Sequence, residues 1–430
     1  MRHTPISPDL FISNRRRLAA SLPPRSVAVV NANDVLPTNA DGTLPIQPNA
    51  DLFYLSGVEQ EETILLLCPD AADERLREIL FIRDAIPELE LWEGHKLTHP
   101  EAREISGITT IKSLTKFWLT FRQLVCDSDT IFLNTNEHKR AVDEVETRDL
   151  RFIEETKSKY PLHQYGRLAP LLGSQRLVKS DEEVAVIRHA CGITKNAFER
   201  VCQFVRPGVN EAEVEAEYAH EFIRNRARFA YTPIVASGRN NCVLHYLQND
   251  QPCKDGDLLL LDVGSAYGNY NSDLTRTIPI NGTFTPRQRD VYNAVLRVMR
   301  AMIDRCVPGV LHRDWQKESE NLMEQELLSL GLITEDDIRN QDPENLAVKR
   351  YFMHGLGHPI GLDVHDVGSM NEPFAPGWVL TVEPGLYIPE EGFGVRLEND
   401  VLVTESTPID LMEDIPVEAN DIEALMGGGA

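Results

Sequence analysis

Short apolar runs and amphipathic stretches alternate over residues 1–170. "SVAVV" (26–30), "ETILLLC" (62–68) and "DTIFLNT" (129–135) carry the apolar continuity of strands. "DERLREILF" (73–81) and "THPEAREISG" (98–107) read as helical pieces. This alternation predicts an α/β domain. A boundary falls near 172–180, "LGSQRLVKS". Beyond it, Ser180 and Glu183 have capping-box spacing. Apolar or small positions then recur at 184, 187, 191, 194, 198 and 201, a helical period. Pro207 and Gly208 stop that helix, and Asn210 with Glu213 caps the next. Two more amphipathic helices are predicted at about 287–305 and 313–331, and a last one near 418–426. Strand pairs at 258–279 and 378–403 lie among them. Helices beside antiparallel hairpins predict an α+β second domain, so the chain reads as 1–172 followed by 173–430.

One run breaks the usual pattern. Four leucines at 258–261 lead directly into Asp262, and Asp273 follows in "DVGSAYGNYNSDLTRT". A buried strand does not end in a carboxylate unless something pairs with the charge. A hairpin turn centred on Tyr267 and Gly268 would set Asp262 opposite Asp273, with both carboxylates on one face. Two such anions repel, and without a cation one of them must take a proton. The arithmetic recurs in "WVLTVEPGLYIPEEGFGVRLENDVLV" (378–403). There Glu383 and Glu398 are equidistant from Glu390 and Glu391 of a "PEEG" turn. Arg396, two residues before Glu398, shares its face and can brace a carboxylate.

Between the hairpins lies "FMHGLGHPIGLDVHDVG" (352–368), with His354, His358 and His365. Its glycines and Pro359 argue for a loop over a helix, with one or two imidazoles available to a metal. Four carboxylates balance two divalent ions. Oxygen-rich donors with little sulfur favour Mn, Mg, Co or Zn. Two such ions can activate one water and polarise a carbonyl or phosphoryl group. Each piece also has a structural explanation: a strand-end Asp262, an Asx-turn Asp273, a turn Glu383, core histidines. Two symmetric carboxylate hairpins flanking a His-rich loop favour the dinuclear site.

Composition narrows the partners. The 430 residues carry a formal net charge of −24, which repels nucleic acid and anionic membranes. No stretch approaches the run of about 18 apolar residues that a membrane span needs. Arg15, Arg16 and Arg17 are followed by "LAASLPPRS", too short and broken for a signal-peptide core, and are expected on the polar face of a first helix. Seven cysteines without a CxxC motif suggest reduced thiols and a cytoplasmic location. Cys191 and Cys202 fall in the apolar helical stripe. Cys242, near His245, is a candidate catalytic thiol, but nothing marks its pKa as lowered.

"LLLDVGSAYGNYNSDLTRT", "HGLGHPIGLDVHD", "LTVEPGLYI" and "GVRLEND" resemble the signature blocks of the pita-bread metallopeptidases, and among these the proline-specific aminopeptidases. "IQPNADLFYLSGVEQEETILLL" is similar to their creatinase-like amino-terminal domain. The resemblance covers essentially the whole chain. It implies metal ligands at Asp262, Asp273, His358, Glu383 and Glu398. It also implies that His245, His354 and His365 bind substrate and stabilise the tetrahedral intermediate. Glu383 would double as proton shuttle, and Arg396 would brace Asp273 or Glu398. Two divalent ions are implied, Mn2+ first, with Co2+ or Zn2+ as alternatives. Water bridging the two ions would attack the bond before a penultimate proline, and Glu383 would protonate the departing proline nitrogen. Gly357, where the family often has Ser or Thr, and Pro359, where it has a bulkier residue, flank His358 and bear on the pocket wall.

The nearest alternative is prolidase, which shares the ligands but cuts only Xaa-Pro dipeptides. The "FYLSGVEQEETILLL" and "LWEGHKL" blocks favour the aminopeptidase. Inactive binding proteins of this fold lose ligands, and here the set is intact. His365 followed by Asp366 suggests an HD-type phosphohydrolase, but that fold carries its metal residues on helices. By resemblance the chain forms a dimer or tetramer, with Asp51 and Trp92 reaching a neighbouring subunit's site.

Overall fold

The structure, a computed structural model, describes residues 3–142 and 144–427. It divides into two compact units between Arg176 and Leu177.

The first unit is built on a six-stranded sheet. Its strands are β1 (Ser26–Asn31), β2 (Ile64–Leu67), β3 (Glu78–Ile82), β4 (Thr110–Ser113), β5 (Thr130–Leu133) and β6 (Gln164–Arg167), in the order β4-β3-β2-β1-β5-β6. β1 runs antiparallel to β2 and parallel to β5. Val27, Val29, Leu66, Phe81 and Ile131 of the sheet pack against Phe117 and Phe121 of the helix Phe117–Val125.

Two expectations fail in this unit. Residues 73–81 are not a helical piece: a single 3-10 turn, Glu74–Leu76, leads into β3. The apolar run "EILFI" pairs on both sides, with β2 and β4, and that pairing outweighs the helix propensity of its flanks. Nor does Arg15 face solvent. It lies fully buried on the helix Pro8–Ser21, donating to Glu78 Oε2 at 2.9 Å and to the carbonyls of Leu55 and Ser106 at 2.8 and 2.9 Å. Five fixed donors let a guanidinium gather the open carbonyl ends of neighbouring segments.

The second unit holds four small sheets among long helices. β7 (Arg228–Phe229), β10 (Ser265–Tyr267) and β11 (Tyr270–Asn271) form one, and β8 (Ile234–Ser237), β9 (Leu258–Asp262) and β12 (Thr275–Pro279) a second. β13 (Val379–Val382), β16 (Asn399–Leu402) and β17 (Ile409–Asp410) form a third, and β14 (Gly385–Ile388) with β15 (Phe393–Arg396) the last. The helix Asp181–Phe204 begins with the Ser180 and Glu183 capping box, and Glu211–Arg224 with that of Asn210 and Glu213. The later helices span Pro286–Ile303, His312–Ser329 and Ala419–Gly427. No helix among the described residues is long and apolar enough to cross a membrane.

Candidate active site

β9 lies between β8 and β12, so both of its edges are paired, and the leucines at 258–261 are buried. Its register with β12 differs from the sequence expectation. Asp262 pairs with Thr275, and Asp273 lies two residues before that partner. The turn is centred on Gly268 and Asn269, at φ 56° and 63°, because a tight two-residue hairpin needs two positive-φ positions. The expected centre would have forced Tyr267 into that conformation. Asp273 and Thr275 still share a face, since side chains alternate along a strand. A single phenol joins the two aspartates. Tyr231 Oη lies 2.6 Å from Asp262 Oδ1 and 2.5 Å from Asp273 Oδ1.

The second hairpin has the expected register. Gly385 pairs with Arg396 and Ile388 with Phe393, closing on the four residues 389–392. Val382 pairs with Asn399 in the adjoining sheet, so the frame continues past Glu383 and Glu398, which sit where the two ladders meet. Residues 352–368 form a loop, as their glycines require. Thr381 fixes this loop, its Oγ1 accepting from the His358 amide at 3.1 Å and its own amide donating to the His358 carbonyl at 2.8 Å. A Cβ on Gly357 would meet the Thr381 carbonyl oxygen at 2.0 Å. Gly357 therefore faces backbone and no pocket wall, and Pro359 is buried.

Five groups converge here. His358 Nε2 lies 3.7 Å from Asp273 Oδ2 and 3.6 Å from Glu383 Oε1. Asp273, His358 and Glu398 each offer a ligand atom within 4.8 Å of the others. Asp262 is held by Arg396, whose Nη2 donates to Oδ2 at 2.6 Å. Glu398 Oε2 accepts from Thr275 Oγ1 at 2.6 Å, and Thr275 Oγ1 in turn accepts from Arg396 Nε at 3.2 Å. Arg396 thus braces Asp262 directly and reaches Glu398 through Thr275. This corrects the expectation of Asp273 or Glu398 as its partner.

The charges do not balance within the protein. Burial, then repulsion from Asp262 and Asp400, pushes the Asp273 carboxyl well above the usual carboxylate range. Burial, then Asp273 and Glu383, does the same to Glu398. Burial opposes the charge on Arg396, yet Tyr387 and Asp262 raise its pKa well above the ordinary value. One guanidinium and one phenol proton do not neutralise four carboxylates. The donor set is oxygen-rich with one imidazole, and it fits hard or borderline divalent cations. His358 Nδ1 lies 3.0 Å from the Pro359 carbonyl, which leaves Nε2 to face the carboxylates.

The other candidate histidines occupy different places. His365 is exposed and stacks on His358, with ring centroids 3.9 Å apart. His354 donates from Nδ1 to the Gly355 carbonyl at 2.7 Å. Its Nε2 meets Tyr387 Oη at 2.8 Å, and Arg396 Nη1 donates to that same hydroxyl at 2.8 Å. Burial, reinforced by Arg396, pulls the His354 pKa down to about 3, so the ring is neutral. His245 is exposed. Asp366 points away from the carboxylates into a buried ion pair with Lys179 at 3.0 Å, which removes the HD-type reading. Cys242 has a raised pKa through burial, the opposite of an activated thiol.

Four site residues escaped sequence reasoning. Tyr231, Thr275 and Tyr387 are hydroxyls on strand or strand-edge positions, with no local signal. Asp400, which accepts from the Asp273 amide at 3.0 Å, had one. It continues the alternation Arg396, Glu398, Asp400 on one face.

Known proteins resemble this chain in sequence and fold. Residues 185–405 match the family model "Metallopeptidase family M24", and residues 11–132 match "Aminopeptidase P, N-terminal domain". The chain is 35% identical to the Xaa-Pro aminopeptidase of Escherichia coli (strain K12) over 437 residues, covering 98% of each. It is 32% identical over 413 residues to Xaa-Pro aminopeptidase 3 of Homo sapiens, covering 92% of this chain and 80% of that one. The solved structure of zinc-substituted E. coli aminopeptidase P in complex with product has a TM-score of 0.88 at 32% identity, covering 99% of this chain and 100% of that one. These likenesses run through both compact units, and the chain belongs to metallopeptidase family M24, with a pita-bread catalytic domain preceded by an aminopeptidase P amino-terminal domain.

Proposed function

We propose that this protein is a metal-dependent Xaa-Pro aminopeptidase, hydrolysing the bond between an N-terminal residue and a penultimate proline. The observation that carries the reading is the buried cluster of four carboxylates around His358 Nε2. Full-length similarity to Xaa-Pro aminopeptidases supports the substrate class. In this reading the chemistry belongs to residues 173–430, and 1–172 form the amino-terminal domain. Asp262, Asp273, His358, Glu383 and Glu398 hold two divalent ions, with Mn2+ the first choice. When bound, the ions supply Lewis acidity for water activation and carbonyl polarisation.

The chain's own residues do the rest. Glu383 has the most exposed carboxylate for which a fraction bears on the choice, 21% against 7% for Asp273 and 14% for Asp262, which suits it to carry a proton to the proline nitrogen. That nitrogen is a tertiary amide before cleavage and must be protonated to leave. His365, stacked on His358, and the exposed His245 orient the peptide and its developing oxyanion. His354, neutral with its Nδ1 committed to Gly355, orders Tyr387 beside Arg396. Arg396 keeps Asp262 aimed.

The deciding experiment compares cleavage of an Xaa-Pro-Yaa tripeptide with that of the Xaa-Pro dipeptide in added manganese, beside Asp262→Ala. Tripeptide cleavage that disappears in the variant is the expected result. Cleavage of the dipeptide alone would make the protein a prolidase. No cleavage of either by metal-loaded protein would remove the enzymatic reading.

We further read the protein as cytoplasmic and homo-oligomeric, without nucleic-acid or membrane partners. Seven free cysteines and the net charge of −24 support the first and last points. Trp92, 86% exposed on the short helix Pro87–Glu93, supports the second. Light scattering that shows only a 48.5 kDa species would sink the oligomer.

A further inference from the structure

The first unit contains an open cavity of about 1220 Å³, separate in sequence and in residues from the carboxylate cluster. It lies at one end of interior strands of the six-stranded sheet. Asn31 ends β1 there, Ile64 begins β2 and Arg83 follows β3, and all three line the cavity. β1 has a parallel neighbour on one side and an antiparallel one on the other. In α/β sheets such strand ends are where small ligands are received.

The lining has an apolar wall, six carboxylates and four cations, of which one cation is uncommitted. Trp118 is the partly exposed face of that wall, with Phe117 and Phe152 buried behind it and Phe152 stacked on it at 5.6 Å. Three lining cations are committed to carboxylates: Arg83 to Glu93, Lys96 to Glu61, and Arg151 to Asp34. Arg148 is not. Among the described residues its guanidinium makes no hydrogen bond or ion pair, and Glu62, Asp34 and Asp149 act on it only at longer range. It opens the helix Arg148–Lys159, whose first amide is already taken by Asp34 Oδ2 at 2.7 Å, so the guanidinium and not the helix end is the open donor.

A second observation stands beside it. Asn31 is only 2% exposed, and its Nδ2 donates to Asp149 Oδ1 at 2.9 Å. Among the described residues its Oδ1 has no hydrogen-bond partner. A buried amide oxygen left without a donor is costly, and a ligand or its water can satisfy it.

We propose that this cavity binds a small carboxylate with an aromatic or branched apolar body, the carboxylate on Arg148 and the body on the Phe117, Trp118 and Phe152 wall. Free apolar amino acids and non-amino carboxylates share this chemistry. The assignment is independent of the peptidase reading and survives its failure.

Isothermal titration of the full-length, metal-loaded protein with L-phenylalanine, 3-phenylpropionate and phenethylamine tests it. Saturable binding of either carboxylate is expected, weakened about tenfold or more in Arg148→Ala, with peptidase activity in the absence of ligand unchanged. Tighter L-phenylalanine identifies an amino-acid site, and tighter 3-phenylpropionate a site for non-amino carboxylates. Arg148→Gln, which keeps the stem packing, should show the same loss if Arg148→Ala does not fold. Absence of saturable binding by both carboxylates would overturn the proposal. So would phenethylamine binding as tightly as L-phenylalanine, or unaltered affinity in the Arg148 variants.

Discussion

Arg396 and Asp262 form an ion pair at 2.6 Å with both side chains largely buried, 5% and 14% exposed. The pair answers the problem posed by an aspartate at the end of four leucines. The same guanidinium reaches Thr275 and Tyr387, so one side chain fixes two hairpins and the His354 hydroxyl contact.

Removing Arg396 should therefore impair activity without removing a ligand. Arg396→Ala is expected to lower kcat/KM and metal affinity by about 10- to 100-fold. Arg396→Lys should recover only part, since an ammonium lacks the planar fork. Wild-type metal affinity in Arg396→Ala would show that Asp262 needs no brace.

The phenol shared by Asp262 and Asp273 makes a second prediction. Tyr231→Phe keeps the ring and deletes the hydroxyl that reaches both of them. Metal titration by calorimetry should show about 10- to 100-fold weaker binding, with the far-UV circular dichroism unchanged. Equal affinities for variant and wild type would place the phenol outside the site's electrostatics.

Gly357→Ala should act through the backbone. The added methyl would collide with the Thr381 carbonyl, and the loop carrying His358 would have to move. A stability loss of about 1–3 kcal/mol is expected from chemical denaturation, together with a fall in kcat. A variant as stable and active as wild type would mean that the loop shifts at no cost.

The pH dependence of stability can be read at Asp149. Burial pushes this carboxyl up to about 6 from an ordinary 3.8, with the Asn31 amide opposing. The folded state therefore holds the proton more tightly than the unfolded chain. Its contribution to stability is complete below pH about 4 and is lost as pH rises through about 6. Asp149→Asn should remove that slope and gain on the order of 2–3 kcal/mol relative to wild type at pH 8. Denaturation midpoints measured from pH 4 to 8 check this, and parallel curves for the two proteins would refute it.

Much of the site could be read from sequence because hairpin arithmetic is local. Glu383 and Glu398 come together once a turn is placed on Glu390 and Glu391, and the ladder confirms that frame. Asp262 and Asp273 meet despite a misplaced turn centre, because the error of two residues preserves which face each occupies. Arg15 and residues 73–81 were misread for the opposite reason. What decides them is distant in sequence: carbonyls at 55 and 106 for the arginine, flanking strands for the run. Tyr231 and Thr275 act through partners at least 31 positions away, and no local pattern marks them.

The continuous pairing frame through β13, β14, β15 and β16 has a consequence for how this segment can change length. The rungs on both sides of Glu383 and Glu398 keep time for the whole segment, while residues 389–392 at its tip only close it. Extra residues inserted at that tip leave every rung in phase. A single residue inserted between 385 and 388 would turn Glu383 and its neighbours to the wrong side relative to Glu398. The tip is thus where the chain can grow, by evolution or by design, and the stretch leading to it is where length is held constant.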